Sequence, residues 1–372
     1  MKILLCFGTR PEAIKMAPLY HELLNNNFEV KVCVTAQHRE MLDQVLDFFV
    51  IVPDYDLNLM QPNQSLNGLS ANILFEIDEV FADAKPNLVL VHGDTTTSSV
   101  VALAACNLGI KVGHIEAGLR TYNKQAPFPE EMNRQVTSRL ADIHFTPTIQ
   151  ATENLLKEGI SKSTILETGN TVIDALLWTI NKIEKPEYLH PEIEYLKNAI
   201  PTNKKIVLVT GHRRENYGDG FRNLCKALLT ISERDDVTIV YPVHMNPNVT
   251  DVIYGELADK KNIYLIAPVS YPAFVWLMQK SYLIVTDSGG IQEEAPSLGI
   301  PVLVTRTVSE RPEGLAAGFS ELVGTDKNKI IESINYKLDH SKNFESRLNP
   351  YGIGDACNKI VKYLNIFKQN KL

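Results

Sequence analysis

Residues 283–304 read LIVTDSGGIQEEAPSLGIPVLV, two short apolar runs separated by a Gly-containing turn and a helix-length segment. Leu283–Thr286 and Pro301–Val304 predict buried strands, and Ile291–Ser297 fits a helix that ends near Gly299. Asp287, Ser288, Gly289 and Gly290 form the turn between strand and helix. Strand, turn, helix and strand make one βαβ unit, whose parallel strands need a right-handed crossover. Two glycines let the backbone approach a ligand closely, and the free N–H groups of a helix start favour an anion such as a phosphate. Glu293 and Glu294 sit one turn in, where a carboxylate can accept hydrogen bonds from ribose hydroxyls. Taken alone, an SGG turn is better explained as a helix cap. The stretch gains meaning only from the rest of the chain.

At 372 residues the chain is too long for one ordinary core, and two domains are expected. Apolar content of 44% and charged content of 22% are those of a globular protein. A net charge of −7 carries no electrostatic footprint for nucleic acid or an anionic membrane, so any phosphate recognition has to be local. The cysteines at 6, 33, 106, 225 and 357 show no metal spacing, which predicts buried, reduced thiols in a cytoplasmic protein. Met1–Phe7 could pass for a short signal segment, but Gly8–Glu12 interrupts it at once and no leader is expected. No apolar run is long enough to span a bilayer.

Working outward from residue 283, apolar strands alternate with helices along the whole chain. Lys2–Phe7, Val30–Thr35, Asn87–His92, Lys111–Glu116 and Asp142–Thr146 read as strands of one domain. Between them helices are predicted over Ala13–Asn25, Arg39–Phe49, Leu66–Ala84, Ser98–Leu108 and Pro127–Leu140, with residues 50–64 as a loop. From Asn170 the pattern begins again, with strands at Lys205–Thr210, Val237–Pro242, Ile263–Ile266, Leu283–Thr286 and Val302–Thr305. The fold expected is α/β: two Rossmann-like doubly wound domains facing a cleft, over 1–169 and 170–355, with a last helix in 356–372 able to pack back on the first. Ligands of open parallel sheets bind beyond the C-terminal ends of the strands. Those ends gather Arg10, Lys15, Asp94, Glu116, Arg120, His212, Arg213, Glu215, His244 and the SGG turn. Any one of them has an ordinary explanation: Asp94 as a helix cap, Lys15 as a solvated helix face, Glu130 and Glu131 as acidic residues favoured in a first turn. Charge at nearly every strand end is harder to assign to packing. His21, His38 and His92 read as surface or packing positions, and His212 and His244 lack a third metal ligand in sequence.

The motifs GTRPEAIKMAPL (8–19), TAQHREMLDQ (35–44), VHGDTTT (91–97), GHIEAGLRT (113–121), PFPEEMNR (127–134), TGNTVIDAL (168–176), GHRREN (211–216), YPVHMNP (241–247), DSGGIQEEAPSLG (287–299) and NPYGIGDA (349–356) resemble those of the non-hydrolysing UDP-N-acetylglucosamine 2-epimerases. The resemblance covers nearly the whole chain, in order and in spacing. It implies the GT-B arrangement, a homodimer, conversion of UDP-GlcNAc to UDP-ManNAc for bacterial surface polysaccharide, and no need of metal or nicotinamide cofactor. By position it implies that Arg10 contacts the uridine diphosphate, that His212 with Ser288, Gly289 and Gly290 holds the phosphates, that Glu294 meets the ribose and that Phe274 lies beside the uracil. Arg311 would also face the site, and Asp94, Glu116 and Glu130 would carry catalytic roles with Lys15 and His212 near them. Gln37, His38 and Arg39 match a second UDP-GlcNAc site that acts as an activator in some members. Two positions depart from the family pattern: Ala126 replaces a usual Ser, and Thr307-Val308-Ser309 replaces a usual Asp-Thr-Thr.

Inverting C2 of an N-acetylhexosamine is difficult because C2–H has no adjacent carbonyl. Elimination of UDP to a 2-acetamidoglucal, followed by re-addition, answers this with cations at the leaving group and acid–base groups around C2. Competing readings are a hydrolysing epimerase that releases ManNAc and UDP, a GT-B glycosyltransferase, and a non-catalytic nucleotide-sugar sensor. A sensor has no need of three carboxylates.

Overall fold

A computed structural model describes residues 1–35, 39–60, 64–309, 311–340 and 348–369. The chain divides into two units, Met1–Ala175 with Tyr351–Leu372, and Leu176–Pro350. The first unit holds strands β1 (Lys2–Phe7), β2 (Glu29–Val34), β3 (Tyr55–Asp56), β4 (Leu88–His92), β5 (Lys111–Ile115), β6 (Ile143–Thr146) and β7 (Ile165–Glu167). The second holds β8 (Lys205–Thr210), β9 (Val237–Pro242), β10 (Ile263–Ile266), β11 (Ser281–Thr286), β12 (Val302–Val304) and β13 (Ser320–Leu322). Every pairing is parallel. The orders are β3-β2-β1-β4-β5-β6-β7 and β10-β9-β8-β11-β12-β13.

Both sheets are therefore doubly wound in the same sense, and each reverses direction once, between β1 and β4 and between β8 and β11. At such a switch point the connections leave to opposite sides and open a crevice beyond the strand ends. The reason lies in the sequence: β4 is LVLVH and buried at all five positions, as a strand covered on both faces must be. Leu4, Cys6, Val89 and Val91 join the helix residues Ile73, Ile77 and Val101 in one core. Val207, Val209, Val285 and Leu303 join Phe221, Leu224 and Leu228 in the other. The helix Ala356–Gln369 belongs to the first unit, where Asp174 accepts from the amides of Ala356 at 3.3 Å and Cys357 at 3.0 Å. Tyr363 meets Phe145 edge-on at 5.8 Å.

Several local expectations change. The loop expected over 50–64 contains the two-residue edge strand β3, paired to Cys33 and Val34. The helix expected from Pro127 starts at Glu130, because residues before proline avoid helical backbone and the Pro-Phe-Pro run delays entry. The helix after the SGG turn starts earlier, spans Gly289–Glu294 and continues as a 3-10 turn over Ala295–Leu298. Gly299 ends it with φ +65°, the left-handed conformation that suits glycine. Glu116 lies just past β5 rather than within it. Helices Thr171–Ile183, Pro191–Ala199 and Lys327–Asp339 add to those expected. Four cysteines are buried, but Cys106 is exposed. Among the described residues no helix is long and apolar enough to cross a membrane.

Candidate active site

In the first unit the switch point is organised by a residue not singled out above. Glu12, 2% exposed, stands in the first turn of the helix Arg10–Asn25. Its Oε2 accepts from the amides of Gly8 (3.0 Å) and Thr9 (2.9 Å) and from the Thr9 hydroxyl (2.8 Å). Its Oε1 accepts from the Thr95 hydroxyl at 2.8 Å. One carboxylate thus ties the turn after β1 to the turn after β4. Burial pushes the Glu12 carboxyl up, against hydrogen bonds that pull it down. The signal was legible: Thr9 and Glu12 form a capping box, T-x-x-E.

The predicted carboxylates gather around this latch. Asp94 follows β4, and Glu116 follows β5, its parallel neighbour in register His92↔Ile115. Asp94 Oδ2 accepts from Arg134 Nη2 at 2.7 Å and Nε at 3.0 Å, while Asn133 holds its backbone carbonyl at 2.9 Å. Arg134 and Asn133 stand on the helix Glu130–Leu140, which brings Glu130 to the same end of the sheet. The two adjacent glutamates separate in role. Glu131 is fully buried and accepts from the amides of Thr121 and Tyr122, both at 3.0 Å, so it anchors the loop. Glu130 Oε2 is buried with no hydrogen-bond partner.

Glu116, 8% exposed, has φ +62°, a left-handed conformation that costs a non-glycine residue roughly 1–2 kcal/mol. Its side chain keeps it there: Oε2 accepts from the Lys15 ammonium and from Asn170 Nδ2 at 3.1 Å. Lys15 is consequently 9% exposed, not a solvated helix face. His92, which spacing alone assigned to packing, places Nε2 3.4 Å from the same oxygen without forming a hydrogen bond. His114 donates Nε2–H to the Gly93 carbonyl at 2.7 Å, and burial pulls it down to about 3, so it stays neutral and holds the β4 turn. Arg120 does not join the site: its side chain is fully buried against Glu158, at 2.7 and 3.0 Å. Arg10 is the first residue of its helix and half-buried.

In the second unit the same role falls to Asp287, which is fully buried. Its Oδ2 accepts from the amides of His212 and Arg213, both at 2.9 Å, and from Asn216 at 3.2 Å, tying the loop after β8 to the turn after β11. The hydroxyls of Thr210 and Thr286 meet across the same gap at 2.6 Å. The His212 ring stacks on His244 at 5.5 Å. Partial burial pulls the His212 imidazole down, and Asp287 opposes this. The Ser288 amide donates to the Thr286 hydroxyl at 2.9 Å, and Ser288 makes no side-chain cap for the helix start at Gly289 and Gly290. A methyl group at Gly290 would meet only Ser288 Oγ at 4.0 Å, so the backbone there is open to a ligand. At Gly289 it would meet the Arg311 guanidinium at 3.7 Å. Arg311, 6% exposed, is held by buried Glu293, so Glu293 positions an arginine beside the turn. Ser309, in the departing triplet, bonds Gln292 at 2.7 Å and accepts from the Arg311 amide at 3.0 Å. Glu294 accepts from the Tyr271 hydroxyl at 2.9 Å, and half-buried Phe274 stands one turn further along the helix Tyr271–Lys280.

Of the activator positions, Gln37 and His38 lie outside the described residues. Arg39 is exposed and pairs with Asp43 at 2.9 Å and with Asp56.

The family model for UDP-N-acetylglucosamine 2-epimerase matches residues 21–365. The UDP-N-acetylglucosamine 2-epimerase of Escherichia coli strain K12 is 52% identical, with 100% of both chains covered. That of Campylobacter jejuni is 53% identical over 100% of this chain and 99% of its own. Among solved structures, the UDP-GlcNAc 2-epimerase from Neisseria meningitidis bound to UDP-GlcNAc matches with a TM-score of 0.92 at 50% identity, covering 98% of this chain and 100% of that one. Likeness of this extent, laid over two doubly wound units with charged switch points, places the chain in the UDP-N-acetylglucosamine 2-epimerase family.

Proposed function

We propose that this chain interconverts UDP-N-acetylglucosamine and UDP-N-acetylmannosamine without hydrolysis, as an isomerase that eliminates and re-adds UDP. The observation that supports it best is the contrast between the switch points. One collects Asp94, Glu116 and Glu130 with their holding groups; the other presents His212, the Ser288–Gly290 turn and Arg311. In the forward step the anomeric C–O bond breaks with its electron pair going to the UDP β-phosphate. The C2 proton passes to a carboxylate, and a C1=C2 double bond forms a 2-acetamidoglucal. UDP then adds back to C1 while a proton is delivered to the opposite face of C2.

Each half of the chemistry has candidate groups. Arg10, His212 and the turn amides suit the charge that develops on the diphosphate, where preorganised donors act strongly. Asp94 offers Oδ1 while Arg134 holds Oδ2, and Glu130 offers its unpartnered oxygen. Glu294 is assigned to the ribose and Phe274 to the uracil face. The reading includes a homodimer, checked by a solution mass twice the chain's 41.7 kDa. It also includes a place in surface-polysaccharide synthesis, checked by loss of the polymer when the gene is deleted. Incubating the protein with UDP-GlcNAc and no acceptor tests the reaction. UDP-ManNAc should accumulate to equilibrium with no free sugar. Free ManNAc with stoichiometric UDP means a hydrolysing enzyme, and no turnover without an acceptor points to a transferase.

A further inference from the structure

We propose that Asp287 is a positioning residue that fixes the tautomer and charge of His212, so that Nδ1–H faces Asp287 and Nε2–H of the imidazolium faces the nucleotide diphosphate. The proposal rests on the reading of His212 as a diphosphate ligand. It starts from an imbalance within one carboxylate. Asp287 Oδ2 takes three hydrogen bonds, while Oδ1, equally buried, takes none. A buried acceptor left unpaired costs about 1–3 kcal/mol, so it invites a donor. The candidate is His212 Nδ1, 3.4 Å away. A shift of roughly half an ångström brings the pair to charge-assisted hydrogen-bond length.

Chemistry then sets the direction. An ionised carboxylate only accepts, so the facing Nδ1 has to carry the proton, and Nε2 becomes the titrating atom. The His212 side chain is 43% exposed, and its ring stacks on His244 at 5.5 Å with an interplanar angle of 19°, a contact that favours the present orientation. Its backbone is fixed as well, since the same Asp287 holds the amides of His212 and Arg213. The loop is tightly seated: a side chain at Gly211 would put a carbon 2.9 Å from Phe221 and 3.1 Å from the Tyr241 hydroxyl. Among the described residues, the charged and titratable groups acting on His212 are Asp287, Arg213 and His244. Burial, Arg213 and His244 all oppose the imidazolium, and among the described residues Asp287 favours it. Removing Asp287 would take away the group among these that favours the charged ring.

The test uses the full chain labelled with 15N-histidine, with H212A to assign the resonance. Wild-type protein should show neutral His212 protonated at Nδ1. In D287N, where the carboxamide can donate to Nδ1, the tautomer should reverse and the titration midpoint should fall by about one unit or more. UDP affinity, measured by calorimetry across pH, should tighten about tenfold as wild-type His212 gains its proton. That step should move to lower pH in D287N and vanish in H212A. A wild-type Nε2-protonated neutral ring overturns the proposal, and so does an unshifted midpoint in D287N. The wild-type tautomer needs no variant, so the proposal stays testable if D287N does not fold. Wild-type UDP affinity without a pH step, beside an intact Nδ1–H signature, overturns the diphosphate role of His212 but leaves the Asp287–His212 pair supported.

Discussion

The two switch points share a strand order and a latch but carry opposite chemistry. In the first unit Glu12, from the helix after β1, reaches back to the β1 turn and across to Thr95. In the second unit Asp287, from the turn after β11, reaches across to His212 and Arg213. Each is a buried carboxylate with an oxygen that accepts from backbone amides and from a hydroxyl or amide side chain, and each ties together the two loops that line a crevice. Around the first latch stand the candidate carboxylates, two of them held by cations: Lys15 on Glu116 and Arg134 on Asp94. Around the second they are an imidazole pair and a glycine turn with an arginine beside it. On the proposed reading, one doubly wound frame serves proton transfer in one unit and anion holding in the other. The topology sets where groups go, and the residues two or three past each strand set what they do.

The comparison breaks most visibly at the carboxylates. Asp94→Asn and Glu116→Gln should each lower turnover about 10²–10⁴-fold and leave the UDP dissociation constant nearly unchanged. A parallel loss of UDP affinity in Asp94→Asn would blur the division between the units. A smaller effect separates scaffold from site within the first unit. Arg120→Ala should cost about 3–5 kcal/mol of stability, read from a urea midpoint, because it strands Glu158. Turnover per folded molecule should hold. Lost turnover at unchanged stability would return Arg120 to the site.

The pH dependence follows from His114. Its pKa falls from 6.5 to about 3 on folding, so below pH 6.5 the unfolded chain binds a proton that the folded chain refuses. Stability from this residue is complete above 6.5 and is lost as pH falls toward 3, by about 1.4 kcal/mol per unit. His114→Gln should flatten that part of the curve in denaturant titrations, and an unchanged slope would remove His114 from the account. His212→Ala should weaken UDP binding about tenfold, roughly the loss of one charge-assisted hydrogen bond. Full affinity in that variant would move the diphosphate elsewhere.

Much of the fold could be read from the chain. Buried runs such as Leu88–His92 and Leu283–Thr286 are too apolar for a one-sided sheet, and their alternation with helices predicts parallel layers. The two-residue β3 escaped because a strand that short has no periodicity. The positions directly after strands could be singled out as a candidate site, since ligands of open parallel sheets bind beyond the strand ends. What stayed hidden was partnership. Arg120 and Arg10 look alike in sequence, yet Arg120 is committed to Glu158, 38 residues away. Glu130 and Glu131 are adjacent, and only the loop amides of Thr121 and Tyr122 mark Glu131 as structural. His92 reads as one more residue of an apolar strand until the left-handed turn at Glu116 brings a carboxylate to it.

Solvent exchange at C2 tests the central claim most directly. The protein is incubated with UDP-GlcNAc in D2O and the nucleotide sugars are followed by proton NMR. Elimination and re-addition predict deuterium at C2 in UDP-ManNAc and in recovered UDP-GlcNAc, growing as the two approach equilibrium. Epimerised product that retains its original C2 proton would contradict the account.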